Sequence, residues 1–102
     1  MDNTFKKIHK YVVTIPKGKV ATYGDISNRL DLNNPKIVGW ALHINKDEGV
    51  PCHRVVNKEG CLAENFAFGG WEGQKEKLVK EKVEFMSEKQ VNMKKCHYQM
   101  VG

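Results

Sequence analysis

Residues 22–45, with the sequence TYGDISNRLDLNNPKIVGWALHIN, decide the fold of this chain. Thr22 and Asp25 have the spacing of a capping box, in which each side chain bonds the other residue's backbone N–H at the start of a helix. The sequence therefore predicts a short helix over residues 23–30, immediately after the capping threonine.

The same stretch contains the start of a second helix. Asparagine caps free N–H groups well, and proline suits the first helical position, so Asn34 and Pro35 predict a helix over 35–45. Residues 31–34 form the turn between the two helices. Two short helices joined in this way fit a helix-turn-helix or an ordinary helical hairpin, and their spacing alone leaves both open. The face predicted to point inward consists of Val38, Ala41, Leu42 and Asn45.

The flanking sequence predicts two more helices and one hairpin. Apolar residues at helical spacing indicate a helix over 3–14, and a similar pattern indicates one over 71–81. Between them, the turn residues 57–60 predict that Val55–Val56 folds back onto residues 61–62 as a short β-hairpin. The whole pattern predicts a mainly α fold with little sheet.

Length and charge limit the classes of protein. The chain has 102 residues and a net charge of +5, with 17 Lys and Arg against 12 Asp and Glu. This length fits one domain, which we assign to residues 1–85, followed by a polar and flexible tail over 86–102. No apolar run is long enough to span a membrane and no signal peptide is visible, so we expect a cytoplasmic, monomeric protein. Six of the Lys and Arg residues lie within residues 1–30, which makes a polyanion a candidate partner.

The cysteines do not indicate a disulfide framework or a metal site. The chain has three cysteines, and none of them is part of a CxxC pair. His53 directly follows Cys52 and His97 directly follows Cys96, but neither pair predicts the four ligands of a structural zinc site. We therefore predict no metal and no cofactor.

The segment Pro51-Cys52-His53-Arg54 is the densest chemical signal. A thiol reacts as its thiolate, and a neighbouring imidazole or guanidinium favours the thiolate. Pro51 disfavours a continuous helix here, so the thiol could be presented at a bend. The alternative is a small buried cysteine, and in a strand Cys52 and His53 would point to opposite faces.

Four blocks together resemble the O6-alkylguanine-DNA alkyltransferase family. They are IPKGKVATYGDI at 15–26, VGWALHIN at 38–45, PCHRVVN at 51–57 and FAFGG at 66–70. Their order and spacing resemble the C-terminal DNA-binding and active-site domain of that family over about residues 4–85. The resemblance implies a winged-helix-like helix-turn-helix DNA-binding domain, mainly α with a short β-hairpin.

The resemblance also implies a set of catalytic residues. The family transfers the alkyl group of O6-alkylguanine irreversibly to its own cysteine, which matches Cys52. A histidine, here His53, deprotonates that thiol through a water, and a glutamate, here Glu81, orients the histidine. From the residues alone, a solvated helix carboxylate among lysines is the simpler interpretation of Glu81.

The partner that the resemblance implies is double-stranded DNA that contains O6-alkylguanine. The second helix of the helix-turn-helix lies in the minor groove, and Gly39 would allow its close approach. Tyr23 matches a tyrosine that helps to rotate the nucleotide out of the duplex, and from the residues alone it is equally consistent with a half-buried aromatic. Lys36 stands where the family usually has an arginine that fills the gap in the stack. Lysine lacks the planar guanidinium that stacks and forms forked hydrogen bonds.

The substrate pocket implied by the resemblance consists of Tyr23, Asn45, Val55 and Phe68. Asn45 matches a hinge residue, and it could equally end the second helix. The Val55 carbonyl would accept from the flipped guanine, and Phe68 stands where some members have a serine. We expect Arg54 to pair with a carboxylate rather than with DNA.

Three functions remain compatible with the sequence. The first is a single-turnover methylated-DNA–[protein]-cysteine methyltransferase that repairs DNA through Cys52. The second is a non-catalytic alkyltransferase-like protein that binds the lesion and recruits excision-repair proteins; such proteins share this length but usually lack the cysteine. The third is a small basic DNA-binding domain with another role.

Overall fold

Helices build most of the domain in the computed structural model, which describes residues 3–99. The helices are α1 Thr4–Val12, α2 Tyr23–Arg29, α3 Pro35–His43, α4 Gly70–Lys80 and α5 Met93–Cys96. The strands are β1 Ala21–Thr22, β2 Val55–Val56, β3 Phe85–Ser87 and β4 Gln90–Val91. Strands β1 and β2 pair in parallel, whereas β3 and β4 are antiparallel. No helix among these residues is long and apolar enough to cross a membrane.

The predicted capping residues begin both helices of the helix-turn-helix. The Thr22 hydroxyl accepts from the Asp25 backbone N–H at 2.9 Å, and the Asp25 carboxylate accepts from the Thr22 N–H at 3.0 Å. The Asn34 side chain accepts from the Lys36 N–H at 3.0 Å. These bonds satisfy N–H groups that have no partner within the helix. The predicted capping box and the predicted asparagine cap are therefore confirmed.

The turn between α2 and α3 depends on two left-handed residues. Asp31 has a φ of 60° and Asn33 a φ of 61°. Short polar side chains tolerate this region better than other non-glycine residues. The Leu32 N–H returns to the Ser27 carbonyl at 2.9 Å, which closes the turn. Each helix ends slightly earlier than predicted, so that Asn45 lies beyond the end of α3.

The parallel pair of β1 and β2 lies between two apolar clusters. Ala21 pairs with Val55, and Thr22 pairs with Val56. Ala21 and Val55 pack with α1, α2 and α3, whereas Val20 and Val56 pack with Leu78 and Val91 in the second cluster. Successive residues of an extended chain point to opposite faces, so β2 contributes to both clusters, and Ala21 of β1 and the preceding Val20 reach one cluster each.

The predicted hairpin of residues 55–56 with 61–62 is wrong. One backbone bond, from the Asn57 N–H to the Cys61 carbonyl at 3.2 Å, closes the turn. Beyond it, Cys61 bridges to Gln90 and the Leu62 N–H donates to the Lys89 carbonyl at 2.9 Å. Both residues therefore find their partners at the C-terminal end of the domain, and the observed hairpin is β3 with β4.

The predicted flexible tail from residue 86, and with it the domain boundary at 85, is also wrong for residues 86–99. Val91 and Cys96 are buried in the second cluster. The Val20 N–H donates to the Cys96 carbonyl at 2.8 Å, and the Tyr98 N–H donates to the Val20 carbonyl at 2.7 Å. Two apolar residues in a polar segment thus complete a core that local pattern does not reveal. Residues 100–102 of the predicted tail lie outside the described residues.

A substitution in β4 tests this correction. Val91→Ala should lower the free energy of unfolding by about 2 kcal/mol, because two methyl groups are lost and a cavity remains. Urea denaturation followed by circular dichroism measures it. The control is Met86→Ala in β3, where the side chain is 67% exposed and the expected change is small. Equal effects of the two substitutions would contradict a buried Val91.

Candidate active site and nucleic-acid interface

Cys52 is the first residue of a single 3-10 turn, Cys52–Arg54, that runs directly into β2. Pro51 precedes it, and its carbonyl accepts from the Arg54 N–H at 3.0 Å. Pro51 thus keeps the chain out of a longer helix and fixes a bend at the thiol, as predicted. Cys52 itself is almost completely buried.

Asn45 holds the Cys52 thiol from the end of α3. Its Nδ2 donates to Cys52 Sγ at 3.2 Å and to the Asp47 carbonyl at 2.9 Å. Burial raises the pKa of the Cys52 thiol, and the amide donor from Asn45 offsets part of this effect. At neutral pH the site therefore holds a neutral thiol, which needs a base before it can act as a nucleophile.

His53 and Arg54, which follow Cys52 in the 3-10 turn, form one connected group with Glu81. His53 Nε2 lies 2.9 Å from Glu81 Oε2. Arg54 donates to both carboxylate oxygens, from Nε to Oε1 at 3.0 Å and from Nη2 to Oε2 at 2.6 Å. The two bonds to Glu81 confirm the prediction that Arg54 pairs with a carboxylate. Its Nη1 also donates to the Ile15 carbonyl at 2.7 Å, which anchors the turn.

The protonation states of this group suit a general base. Burial by itself would raise the pKa of Glu81, but hydrogen bonds from Arg54 and then from His53 outweigh it and lower the pKa to about 2. Burial lowers the pKa of His53, and Glu81 only partly opposes this shift. At pH 7 His53 is therefore neutral. With Nε2–H donated to the carboxylate, Nδ1 is the nitrogen left to accept a proton.

Gln74, which is fully buried on α4, fixes the backbone on both sides of this turn. Its Nε2 donates to the His53 carbonyl at 3.2 Å and to the Val55 carbonyl at 3.0 Å, and its Oε1 accepts from the Ala63 N–H at 2.8 Å. This residue was missed as a site residue. The available signal was a polar side chain on the apolar face of a predicted helix, which requires buried partners.

A cavity of about 30 Å³ lies beside the thiol. That volume holds one or two waters but no purine base. The segment that covers the cavity leads into α4 through a bend at Gly69 and Gly70, whose φ values are 106° and 67°. The residues that line the cavity with Cys52 are Tyr23, Gly39, Leu42, His43, Ala63, Asn65, Phe66 and Ala67.

Only Tyr23 among the four predicted pocket residues lines this cavity. Asn45 contacts the thiol from the buried side. Val55 is buried in β2, and its carbonyl accepts from Gln74. Phe68 packs edge-on against Phe66, with ring centroids 5.8 Å apart. The assignments of Asn45, Val55 and Phe68 to a substrate pocket therefore stay predictions. This cavity is too small for a base, and the covering segment presents Phe66 and small side chains to it.

An open groove continues from the cavity along α3. Tyr23 and Gly39 line both the cavity and the groove. The exposed side chains of Lys36 and Trp40 line the groove but not the cavity. A Cβ at Gly39 would lie 3.9 Å from Tyr23 Cε1, so the start of α2 closely approaches α3 here. Burial raises the pKa of the Tyr23 phenol, followed by the effect of Cys52, so the hydroxyl stays protonated and can donate a hydrogen bond. The structure thus brings the three predicted DNA-binding residues together.

Among residues 3–99, no three His, Cys, Asp or Glu side chains cluster as metal ligands would.

The fold and the site define a helix-turn-helix domain with a buried thiol at the foot of its second helix. The family described as "6-O-methylguanine DNA methyltransferase, DNA binding domain" matches residues 3–83. The chain belongs to this family, whose members act in alkylated-DNA recognition and repair. The resemblance seen in the sequence is confirmed.

Similar proteins include both long and short members. The chain is 36% identical over 86 residues to alkyltransferase-like protein 1 of Schizosaccharomyces pombe, covering 82% of this chain and 80% of that protein. The structure of S. pombe Atl1 in complex with damaged DNA containing O6-carboxymethylguanine has a TM-score of 0.82, 31% identity and 98% coverage of both chains. A methylated-DNA–protein-cysteine methyltransferase of Methanocaldococcus jannaschii is 46% identical over 54 residues, which are 52% of this chain and 32% of that protein. The chain thus spans about a third of this methyltransferase.

Proposed function

We propose that this protein binds double-stranded DNA containing O6-alkylguanine, flips the damaged nucleotide and transfers its alkyl group irreversibly to Cys52. The observation that supports this most is the combination of two features: the Cys52 thiol lies at the wall of a cavity, and the next residue, His53, is neutral and oriented by Glu81. A cysteine with a merely structural role would need no such base. The domain resembles one protein solved with damaged DNA and another solved with DNA, which supports the choice of substrate.

The proposed step balances within the protein and its substrate. The thiol proton passes through a water to His53 Nδ1, and the sulfur attacks the alkyl carbon. An S–C bond forms as the C–O6 bond breaks. The departing guanine takes up one proton on its ring from water while His53 returns the thiol proton to water, so that one proton passes in net from the thiol to guanine. The Tyr23 hydroxyl donates a hydrogen bond to the leaving base. Because the alkyl group replaces the thiol proton and is not removed, each protein acts once.

Binding of the lesion must precede the chemistry. The target atom is stacked inside the duplex, so the nucleotide has to leave the helix. The cavity holds water but no base, and His43 Nδ1 lies 3.2 Å from the Asn65 carbonyl across its mouth. We propose that the segment 63–67 moves away from α3 when the duplex binds, while Lys36 and Gly39 on α3 contact the minor groove.

A non-catalytic lesion-binding function is the second candidate. The raised pKa of Cys52 and the S. pombe alkyltransferase-like relative, which covers most of this chain, both favour it. In that case the protein would flip the lesion and hold it for excision-repair proteins. The two candidates differ in the fate of the base: only the transferase returns it to guanine.

The fate of the base can be measured directly. The protein is incubated in molar excess with a duplex that carries one O6-methylguanine, and the DNA is then digested to nucleosides. The proposal predicts loss of O6-methylguanine and an equal gain of guanine. Tight binding of the duplex with the lesion unchanged would leave the second candidate as the function.

The pH dependence of transfer tests the role of His53. Because its pKa is below the usual 6.5, the ring is neutral near pH 7 and takes up a proton only in more acidic solution. The single-turnover rate should therefore be nearly constant around neutral pH and fall only in acidic solution, below the usual imidazole range. A tenfold increase in rate per pH unit between 6 and 9 would instead indicate direct attack by a thiolate without a base.

A further inference from the structure

Trp40 is an aromatic side chain of α3 that the core does not use. The buried face of α3 consists of Val38, Ala41 and Leu42, whereas Trp40 is 60% exposed. An indole in water is the kind of group that proteins place at an interface, because it has a large apolar surface that gains from burial. Its ring lies near that of His43, with centroids 6.3 Å apart.

The position of Trp40 connects it to the candidate site. It lies one helical turn after Lys36, and the two line the same groove with Tyr23, Gly39 and His43. The last three residues also line the cavity beside Cys52. On its other side Trp40 borders a second, apolar hollow with Phe5 and Ile37. The indole therefore forms a ridge directly beside the opening through which a flipped base would pass.

Lys36 alone cannot fill a gap in a stack of bases. Its ammonium is a point charge, and it lacks a planar group that can lie against a base. An indole has such a plane, and aromatic side chains at protein–DNA contacts stack on bases or wedge between base steps in the minor groove.

We propose that Trp40 stacks on a base of the duplex next to the flipped nucleotide, while Lys36 supplies the positive charge. This inference rests on the proposed function and adds to it the residue that stabilises the opened duplex. Nucleic acid is favoured over a protein partner because the ridge is continuous with the Cys52 cavity and a lysine stands one turn away. Trp40 is a DNA-binding residue in this account and does not touch the reacting atoms.

Binding measurements on three variants test the proposal. The probe is a fluorescein-labelled duplex with one O6-methylguanine, and its anisotropy is followed during titration with protein. Trp40→Ala should weaken binding on the order of tenfold, whereas Trp40→Phe should keep most of the affinity because a ring remains. Val79→Ala, which removes another exposed apolar side chain, on α4, should bind like the wild type.

Tryptophan fluorescence gives a second readout. The chain has two tryptophans, and Trp71 lies half-buried beneath Lys89 Nζ, 4.6 Å from its ring centroid. In a Trp71→Phe background the remaining emission belongs to Trp40, and stacking on a base should quench it strongly on addition of the lesion duplex. Emission that stays unchanged while the duplex binds would overturn the proposal.

The outcomes separate this inference from the proposed function. If Trp40→Ala binds and repairs the lesion like the wild type, the stacking role is wrong and the proposed function stands; an indole that serves a protein partner would give this result. If the wild type does not bind the lesion duplex, the proposed function fails, and this inference fails with it.

Discussion

Replacement of Cys52 by alanine is expected to abolish alkyl transfer completely while binding of the lesion duplex persists. No other thiol can substitute, because Cys96 is buried in the second apolar cluster and Cys61 does not line the cavity beside Cys52. Binding should persist because the contacts with DNA are proposed for Tyr23 and α3. The measurements are guanine recovery after incubation with the O6-methylguanine duplex and anisotropy of the labelled duplex.

Cys61→Ala is the matched control for this prediction. It removes a thiol of the same size that is half-buried and does not line the cavity, so transfer should continue at the wild-type rate. Guanine recovery by the Cys52→Ala variant would contradict the assignment of the nucleophile. Loss of lesion binding by a folded Cys52→Ala variant would contradict the proposed division between the binding and transfer residues.

Substitution of Glu81 by glutamine should have the second largest effect, and it should act on both stability and transfer. The side chains of Arg54 and Glu81 are 11% and 12% exposed. Glutamine keeps the size of the side chain but removes the charge that holds Arg54 and His53. We expect a loss of about 2–3 kcal/mol in the free energy of unfolding. The single-turnover transfer rate should fall by about two orders of magnitude as the general base loses its orientation.

The pH profile distinguishes a positioning role of Glu81 from a purely structural one. Glu81 raises the pKa of His53 against the effect of burial, so its neutralisation should lower that pKa further and move the acid limb of the transfer rate to lower pH. Glu76→Gln is the control on the same helix, since its carboxylate contacts Lys80 at the surface and is 69% exposed. A reduced rate with an unmoved acid limb would contradict the positioning role.

The acid stability of the protein should reflect the same carboxylate. Because the pKa of Glu81 falls from 4.5 to about 2 in the folded state, its ionised form contributes stability that is present above pH 4.5. That contribution should disappear as the pH falls towards 2. Comparison of the wild type with Glu81→Gln by urea denaturation at pH 7 and pH 3 should show that the difference between them shrinks at the lower pH.

Local chemistry made the helix-turn-helix predictable. The capping pair Thr22 and Asp25 and the cap at Asn34 each act within three residues, so their pattern is visible in the sequence. The group of His53 and Glu81 that we propose as catalytic was predictable only from the resemblance to a family. His53 and Glu81 are 28 residues apart in the sequence, and no periodicity indicates that their side chains meet.

The remaining features depend on contacts between distant parts of the chain. The pairing of Ala21 with Val55 joins two strands of two residues each, too short to give an alternating pattern. Val91 is buried because it packs in one cluster with Val20 and Val56, which are distant in the sequence. The polar residues around Val91 give no indication of this burial. Phe66, rather than Phe68, lines the cavity beside the thiol in the segment that Gly69 and Gly70 turn into α4, and the FAFGG sequence does not indicate which of the two rings lies there.

The buried thiol and the small cavity together imply that the free protein is unreactive. A neutral Cys52 resists chance alkylation, and the small cavity leaves little room for other alkyl donors. Duplex binding, opening of the segment 63–67 and proton transfer to His53 would then have to occur together. Such coupling suits a protein that can act only once.

The mass of the intact protein after incubation with an O6-methylguanine duplex tests the central claim most directly. The account predicts a gain of the mass of one CH2 group, at most once per protein, located by peptide sequencing at Cys52. An unmodified duplex should give no gain. A protein that binds the lesion duplex tightly and yet keeps its original mass would contradict the claim that Cys52 accepts the alkyl group.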